Sequence, residues 1–259
     1  MRRALWLALL LLTAACPKPA GDSAKDLLSQ LKAGLAERDA KVSSYRLEGV
    51  TREQGLEASF QFAYRAPNKL RGVLVRPERR TFAFDGARLY DLQPDGKRFT
   101  AYELKLPEAK AAQFLNQTFS VFVSEGFRVP LLLSRGVTVT RAAHPKAREA
   151  VEVKVQTQDD SGQALTVTYS LRWPACDFLG KKLELAGKTS ETRVDEEHCE
   201  PKLGLCFPRQ LTLWEGKAPV NTTLLTKVEI NPQIPAGEFT LSAPEGFEAQ
   251  SHELVEKAP

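Results

Sequence analysis

The chain has 259 residues, of which 42% are hydrophobic, and it carries 36 lysines and arginines against 32 aspartates and glutamates. This near balance argues against a nucleic-acid-binding protein, which concentrates basic charge on one face. The length suits one large β-rich domain with a single core.

The first fifteen residues have the pattern of a secretory signal peptide. Two arginines, Arg2 and Arg3, precede an apolar run over 4–12, and small residues follow up to position 15. The apolar run is too short to span a bilayer as a helix, and this arrangement is typical of a cleaved signal. Its removal would bring the basic residues to within two of the acidic ones. The mature body is then nearly neutral.

Cys16 follows the small residues as the cysteine of a bacterial lipobox does. This resemblance implies lipidation of Cys16, cleavage before it and a permanent membrane anchor. The alternative is a secreted protein in which a cysteine lies there by chance. Residues 16–23 are expected to be a tether, because Pro17 and Pro19 exclude a helix. By the enterobacterial sorting rule, a proline in place of aspartate after the cysteine indicates the outer membrane, on its periplasmic face.

The mature chain begins with a helix and continues with strands. Leucines at 27, 28, 31 and 35 form the stripe of an amphipathic helix over 23–42. The region 45–104 then reads as consecutive antiparallel strands. In one of them Phe60, Phe62 and Tyr64 alternate with smaller side chains and therefore share a face. An Asp85-Gly86 pair after Phe84 predicts a tight hairpin.

A helical insert interrupts the strands over about 107–133. Phe114, Phe119 and Phe122 recur there at helical spacing, and no glycine appears before Gly126. Strands resume over 137–141, 150–157, 165–173, 181–186, 205–214 and 222–230. The segment 187–202 is interpreted as a loose loop, and residues 248–259 as a polar C-terminal tail.

Three cysteines remain beyond the lipobox: Cys176, Cys199 and Cys206. In an oxidising export compartment two of them are expected to form a disulfide. The pair Cys199–Cys206 is preferred because it brackets a segment of hairpin size, and pairing with Cys176 stays open.

The sequence offers no catalytic machinery. Its three histidines, His144, His198 and His252, have no serine or cysteine partner in a recognisable motif. A metal site could be built on paper from residues 196–199, but adjacent side chains rarely converge on one ion. We therefore expect a non-enzymatic protein without a metal or other cofactor.

The order of helix, strands, helical insert and strands predicts a mainly β fold with some α structure. One large twisted antiparallel sheet must bury its concave face, and the N-terminal helix and the insert are available to cover it. The runs 62–71, 76–78, 84–91 and 228–235 resemble the LolA/LolB-type superfamily of lipoprotein carriers and receptors, which includes RseB-like proteins. The resemblance extends over about 24–247 and implies an open half-barrel with a helical lid.

That resemblance also implies a function. Its members hold acyl chains of lipoproteins or other lipids in the half-barrel, or sense envelope signals with the same fold. Arg71 matches an arginine associated with holding the lid closed. The same aromatic residues have two interpretations: a tightly packed core, which suits a sensor or protein-interaction module, or the wall of a lipid cavity. The cavity interpretation assigns the wall to Phe60, Phe62, Tyr64, Phe82, Phe84, Phe114, Phe119 and Phe122.

Overall fold

A single 14-stranded sheet and two α-helices make up the chain where the structure describes it. The computed structural model describes residues 24–75, 78–119, 126–127, 137–158 and 162–255. The expected signal peptide, the tether and Cys16 lie outside these residues. The helices are α1 (Ala24–Lys41) and α2 (Glu108–Phe119), with a short 3₁₀ helix, η1, at Ala236–Phe239. The strands are β1 Ser44–Glu53, β2 Leu56–Arg65, β3 Lys69–Leu74, β4 Arg80–Phe84, β5 Arg88–Gln93, β6 Arg98–Lys105, β7 Val137–His144, β8 Ala147–Gln158, β9 Ala164–Arg172, β10 Asp177–Leu185, β11 Lys188–Glu200, β12 Leu205–Glu215, β13 Ala218–Ile230 and β14 Glu248–Val255.

The sheet is open, and its strand order follows the chain with two exceptions. The order is β14-β6-β5-β4-β3-β2-β1-β13-β12-β11-β10-β9-β8-β7, in which β1 with β13 and β14 with β6 are the two non-sequential neighbours. Sequential neighbours pair as antiparallel hairpins, and β1 joins the two halves by pairing with β13. The last strand, β14, pairs in parallel with β6. This open sheet with helices against one face fits the α+β half-barrel that the sequence predicts.

Both α-helices cover the same face of the sheet, which we call the inner face. Leu27, Leu31 and Leu35 of α1 are buried against β7 to β12, in a cluster that includes Val153 and Leu171. The leucine stripe therefore does what amphipathic periodicity predicts. It seals the half of the sheet formed by the later strands.

The second helix covers the inner face of the other half, formed by the earlier strands. Phe119 is fully buried in a cluster with residues of β1, β2, β4 and β5. Of the insert expected over 107–133, the structure describes the stretch up to Phe119, including α2, and the pair Gly126 and Phe127. Phe127 is buried in the same cluster.

The opposite, outer face of β1 to β6 is covered by residues 231–247, which we call the C-terminal strap. Ile234 and Phe239 are buried against Ala63, and Leu241 packs against Tyr90 and Phe99. The strap thereby brings β14 to the edge of β6. The sequence predicts a polar tail from residue 248 onward. Its described part, Glu248–Val255, is instead an edge strand of the sheet.

The segment expected to be a loose loop over 187–202 is instead strand β11. It pairs with β10 on one side and β12 on the other. This strand is rich in charged residues, and Val194 is its one fully buried apolar side chain. The expectation was wrong because flanking ladders, rather than apolar periodicity, hold this strand in the sheet.

The expected Asp85-Gly86 hairpin is present between β4 and β5. Oδ1 of Asp85 accepts hydrogen bonds from the backbone N–H groups of Ala87 and Arg88, each at 2.9 Å. The Tyr90 hydroxyl donates to Oδ2 of Asp85 at 2.7 Å. Burial, together with this bond to a carboxylate, raises the pKa of Tyr90 to about 12.

No helix within the described residues is long and apolar enough to cross a membrane.

Candidate functional site

An aromatic cluster occupies the inner face of the region formed by β1 to β4. Phe60, Phe62 and Tyr64 are each 2% exposed, and Phe84 is 5% exposed. Tyr45 of β1 stacks on Tyr64 with ring centroids 5.0 Å apart. The alternation of β2 places its three aromatics on one face, as the sequence predicts, and the ladder aligns them with the neighbouring strands.

Phe119 of α2 closes this cluster from above. Its ring meets the ring of Phe62 edge-on at 6.1 Å and the ring of Phe82 at 6.3 Å. Phe82 and Phe114 are partly buried against the same cluster. Seven of the eight residues proposed for a cavity wall are therefore brought together, and the eighth, Phe122, lies outside the described residues.

The cluster is closed in this structure. The largest of its rings are almost fully buried, and edge-to-face contacts of this kind leave little space between them. Among the described residues, Phe119 of α2 covers the rings of Phe62 and Phe82. The arrangement is thus a packed core in which the sheet supplies most of the rings and helix α2 supplies Phe119.

A second site, which is polar and was not predicted from the sequence, lies at the C-terminal end of α1. Arg38 is 2% exposed and forms a buried ion pair with Asp177 of β10. Nη2 of Arg38 also donates to the carbonyls of Gly126 and Cys206, each at 3.1 Å. Burial lowers the pKa of Arg38, and the charge of Asp177 opposes that shift. One side chain therefore joins α1, β10, the insert and β12.

Asp177 extends this network toward the surface. It accepts hydrogen bonds from the Cys206 backbone N–H at 3.0 Å and from Nη1 of Arg172 at 3.0 Å. Arg172 in turn binds Glu197 of β11 at 2.7 and 2.9 Å. The sequence did carry a signal for this site: Arg38 follows Leu31 and Leu35 on the buried stripe, and a charge on such a stripe needs a buried partner.

Cys199 and Cys206 form a disulfide that joins β11 to β12. Cys176 is a buried free thiol, and burial raises its pKa to about 11. Its sulfur lies 2.9 Å from where a Cβ on Gly34 would be, which explains a glycine inside α1. The three cysteines thus have two different roles.

Peptide mapping under non-reducing conditions should recover Cys199 and Cys206 in one bridged pair. Closing a loop of this length stabilises the fold by about 2–3 kcal/mol in the chain-entropy model. Cys176 should react with an alkylating reagent only after denaturation, because a buried thiol of raised pKa holds little thiolate. Rapid alkylation of Cys176 in native protein, or a bridge that includes it, would contradict this arrangement.

Arg71 does not lie near α2. It pairs in the ladder with Ala63 and so faces the outer side of the sheet, where its Nη1 donates to the Glu238 carbonyl of η1 at 3.1 Å. Arg65 likewise donates to the Ile234 carbonyl at 2.9 Å. The role of lid contact does not fit these residues, because Arg71 and α2 are on opposite faces. Arg71 instead holds the C-terminal strap.

The outer face also carries a groove of about 430 Å³ between the sheet and η1. Its lining includes Arg46, Glu48, Gln61 and Glu238, and Arg46 pairs with Glu238 at 2.5 Å. Most of its side chains are polar, and Leu47 and Phe62, which pack into the inner aromatic cluster, also border it.

The histidines and acidic residues do not converge. His198 contacts Glu200 at 2.8 Å, His144 accepts a hydrogen bond from the Lys146 backbone, and His252 stacks on Tyr102. Within the described ranges, no three His, Cys, Asp or Glu side chains are grouped as metal ligands would be.

The sequence matches no protein-family model and no curated protein. A domain assigned to outer-membrane lipoprotein sorting in Vibrio parahaemolyticus superposes with a TM-score of 0.55 at 8% identity, over 82% of this chain and 97% of that one. The two proteins share a fold. A LolA superfamily protein from Nitrosomonas europaea superposes with a TM-score of 0.49 at 10% identity, over 82% of this chain and 97% of that one. The Vibrio superposition and the open antiparallel sheet confirm the α+β half-barrel architecture that the sequence resemblance implied, whereas the helical lid stays a prediction.

Proposed function

We propose that this protein is an envelope lipid- or lipoprotein-binding module whose ligand chains occupy the inner face beneath α2. The observation that carries the proposal is the position of Phe119, which completes an aromatic cluster from a helix outside the sheet. The fold shared with a lipoprotein-sorting domain supports it. We assign it no catalytic residue, no cofactor and no nucleic-acid partner.

Binding then proceeds by exchange of one apolar group for another. When α2 moves away, Phe119 leaves the rings of Phe62 and Phe82, and a ligand chain takes its place. An acyl chain gains about 0.8 kcal/mol for each CH₂ it buries, so a few buried methylenes compensate for the lost ring. The ligand shifts the population toward the open form by its higher affinity for that form.

Changing Phe119 to alanine should raise the affinity for the neutral probe N-phenyl-1-naphthylamine by roughly tenfold, because the probe no longer has to displace the ring. Probe fluorescence measures the affinity, and circular dichroism checks the fold. The control is Phe99→Ala, which removes an equally large buried side chain from the outer face. Equal affinity in the two variants would count against a site beneath α2.

A second function is favoured by one observation: the aromatic cluster is closed. A filled interior suits an anchored sensor or protein-interaction module on the same fold. Mass spectrometry of lipids extracted from protein purified without detergent separates the two functions. Stoichiometric lipid supports the binding module. Lipid-free protein that also fails to bind the probe supports the interaction module.

The envelope location rests on the N-terminal sequence. Changing Cys16 to serine should move the protein from the membrane fraction to the soluble periplasmic fraction, because the thioether-linked lipid can no longer form. Fractionation followed by immunoblotting measures this. Unchanged membrane retention of the variant would refute lipidation at Cys16. Recovery of the wild-type protein in the inner membrane would refute the outer-membrane assignment.

A further inference from the structure

An ion pair distinct from Arg38–Asp177 lies beside the aromatic rings of the inner face, on β4 and β5. Arg80 of β4 lies diagonally across from Asp91 of β5 and binds it in a fork: Nε donates to Oδ1 at 2.9 Å and Nη2 to Oδ2 at 2.7 Å. Strand alternation places Arg80 on the same face as Phe82 and Phe84. The guanidinium lies 4.5 Å above the ring of Phe82, which itself contacts Phe119. Charge and apolar surface are therefore continuous.

The two charges of this pair differ in exposure. Asp91 is 4% exposed and accepts a further hydrogen bond from Gln93 at 2.9 Å. The Arg80 side chain is 40% exposed, and its Nη1 makes no hydrogen bond to another described residue. The pair thus presents its positive edge to solvent and its negative end to the protein. A guanidinium in this position can bind a second anion through the edge that Asp91 does not use.

We propose that Arg80 binds the anionic head, a carboxylate or phosphate, of an amphiphile whose chain lies on the aromatic inner face. This inference rests on the proposed function and names the ligand class for it. Phe82 connects the two parts of the site, since one ring touches both the guanidinium and the ring of Phe119. The hydrogen bond that Arg80 donates to Asp91 raises the pKa of Arg80, against the opposing effect of burial, so the head meets a positive charge.

The test compares cis-parinaric acid with its methyl ester, which has the same chain and no charge. Changing Arg80 to glutamine should weaken binding of the acid by roughly tenfold and leave binding of the ester within about twofold. Arg80→Lys should restore most of the preference for the acid. The matched control is Arg46→Gln, since Arg46 is 37% exposed and also pairs with a carboxylate, but on the outer face.

A buried Asp91 left without Arg80 can destabilise the fold, so the double variant Arg80→Gln/Asp91→Asn serves as a second test. It replaces the charged pair by neutral hydrogen-bonding groups and should lose the preference for the acid to the same extent. Asp91→Asn alone should strengthen binding of the acid, because it removes the competing carboxylate. Inorganic phosphate should not displace the acid, since it has no chain to bury.

The outcomes separate this inference from the proposed function. If both probes bind and Arg80→Gln affects them equally, the head site is wrong and the lipid site stands. Displacement of the acid by inorganic phosphate would indicate a plain anion site and also overturn the inference. If neither probe binds the wild type or Phe119→Ala, the proposed function fails, and the head site fails with it.

Discussion

Changing Asp177 to alanine should lower the free energy of unfolding by about 3–5 kcal/mol, because it leaves Arg38 buried without its carboxylate. Two backbone carbonyls remain as hydrogen-bond acceptors for Arg38, but neither neutralises its charge. The Cys206 N–H loses its acceptor in the same variant. Urea denaturation followed by tryptophan fluorescence measures the change.

An exposed pair provides the control for this variant. Glu57 binds Arg52 at 3.0 Å, and their side chains are 42% and 70% exposed. Glu57→Ala should cost at most about 1 kcal/mol, as surface ion pairs typically do. High salt should not restore the stability of Asp177→Ala, since counterions cannot reach the buried guanidinium of Arg38. Similar losses in the two variants would mean that water reaches Arg38.

Changing Gly126 to alanine should cost about 2–4 kcal/mol, the second largest effect that we expect. Gly126 has φ +97°, and a Cβ there would lie 2.7 Å from Cβ of Phe178 and 2.8 Å from Cγ of Pro208. Backbone strain and overpacking therefore both contribute to the loss of stability. The same residue gives its carbonyl to Arg38, so the variant also disturbs the anchor of the insert. Urea denaturation again measures the loss.

The control for Gly126 is Gly187, in the turn between β10 and β11. Gly187 also has a positive φ, +77°, but a Cβ there would meet nothing within 4 Å. Gly187→Ala should cost only the backbone term, about 1–2 kcal/mol. Equal losses of stability in the two variants would mean that Phe178 and Pro208 can move aside, so that the close packing at Gly126 adds nothing to the cost of the substitution.

The sequence predicts those elements whose apolar residues follow a period. The leucine stripe gives α1 almost to the residue, and the alternation of Phe60, Phe62 and Tyr64 gives both β2 and its buried face. The Asp85-Gly86 pair gives its hairpin because the carboxylate binds the turn backbone. In each case a local pattern and the tertiary environment agree.

Elements held by backbone ladders alone escape such prediction. Most residues of β14 are exposed on both faces, so its sequence shows no alternation, and its place is set by the strap that delivers it to β6. Charged β11 is fixed in the same way by two flanking strands. The position of each strand is therefore set by its partners rather than by its own sequence pattern.

The candidate site was predicted in its apolar part and missed in its polar part. The alternation of aromatic residues along one strand is visible in the sequence. An ion pair between two strands can be predicted only when it is known which strands are neighbours. Arg80 reaches Asp91, the ladder partner of Phe82, only because β4 and β5 pair. Arg71 shows the converse error, since a motif match assigned a role without fixing the face of the sheet on which the side chain lies.

Each half of the sheet is covered by a piece of chain from the opposite terminus. The helix α1, at the start of the described chain, packs on β7 to β12, whereas the strap near its end packs on β1 to β6. A chain that emerges from its N-terminus cannot complete either cover until almost all of it is available. Contacts of such large sequence separation slow folding. A growing or partly transported chain therefore has no finished half-domain that can fold ahead of the rest.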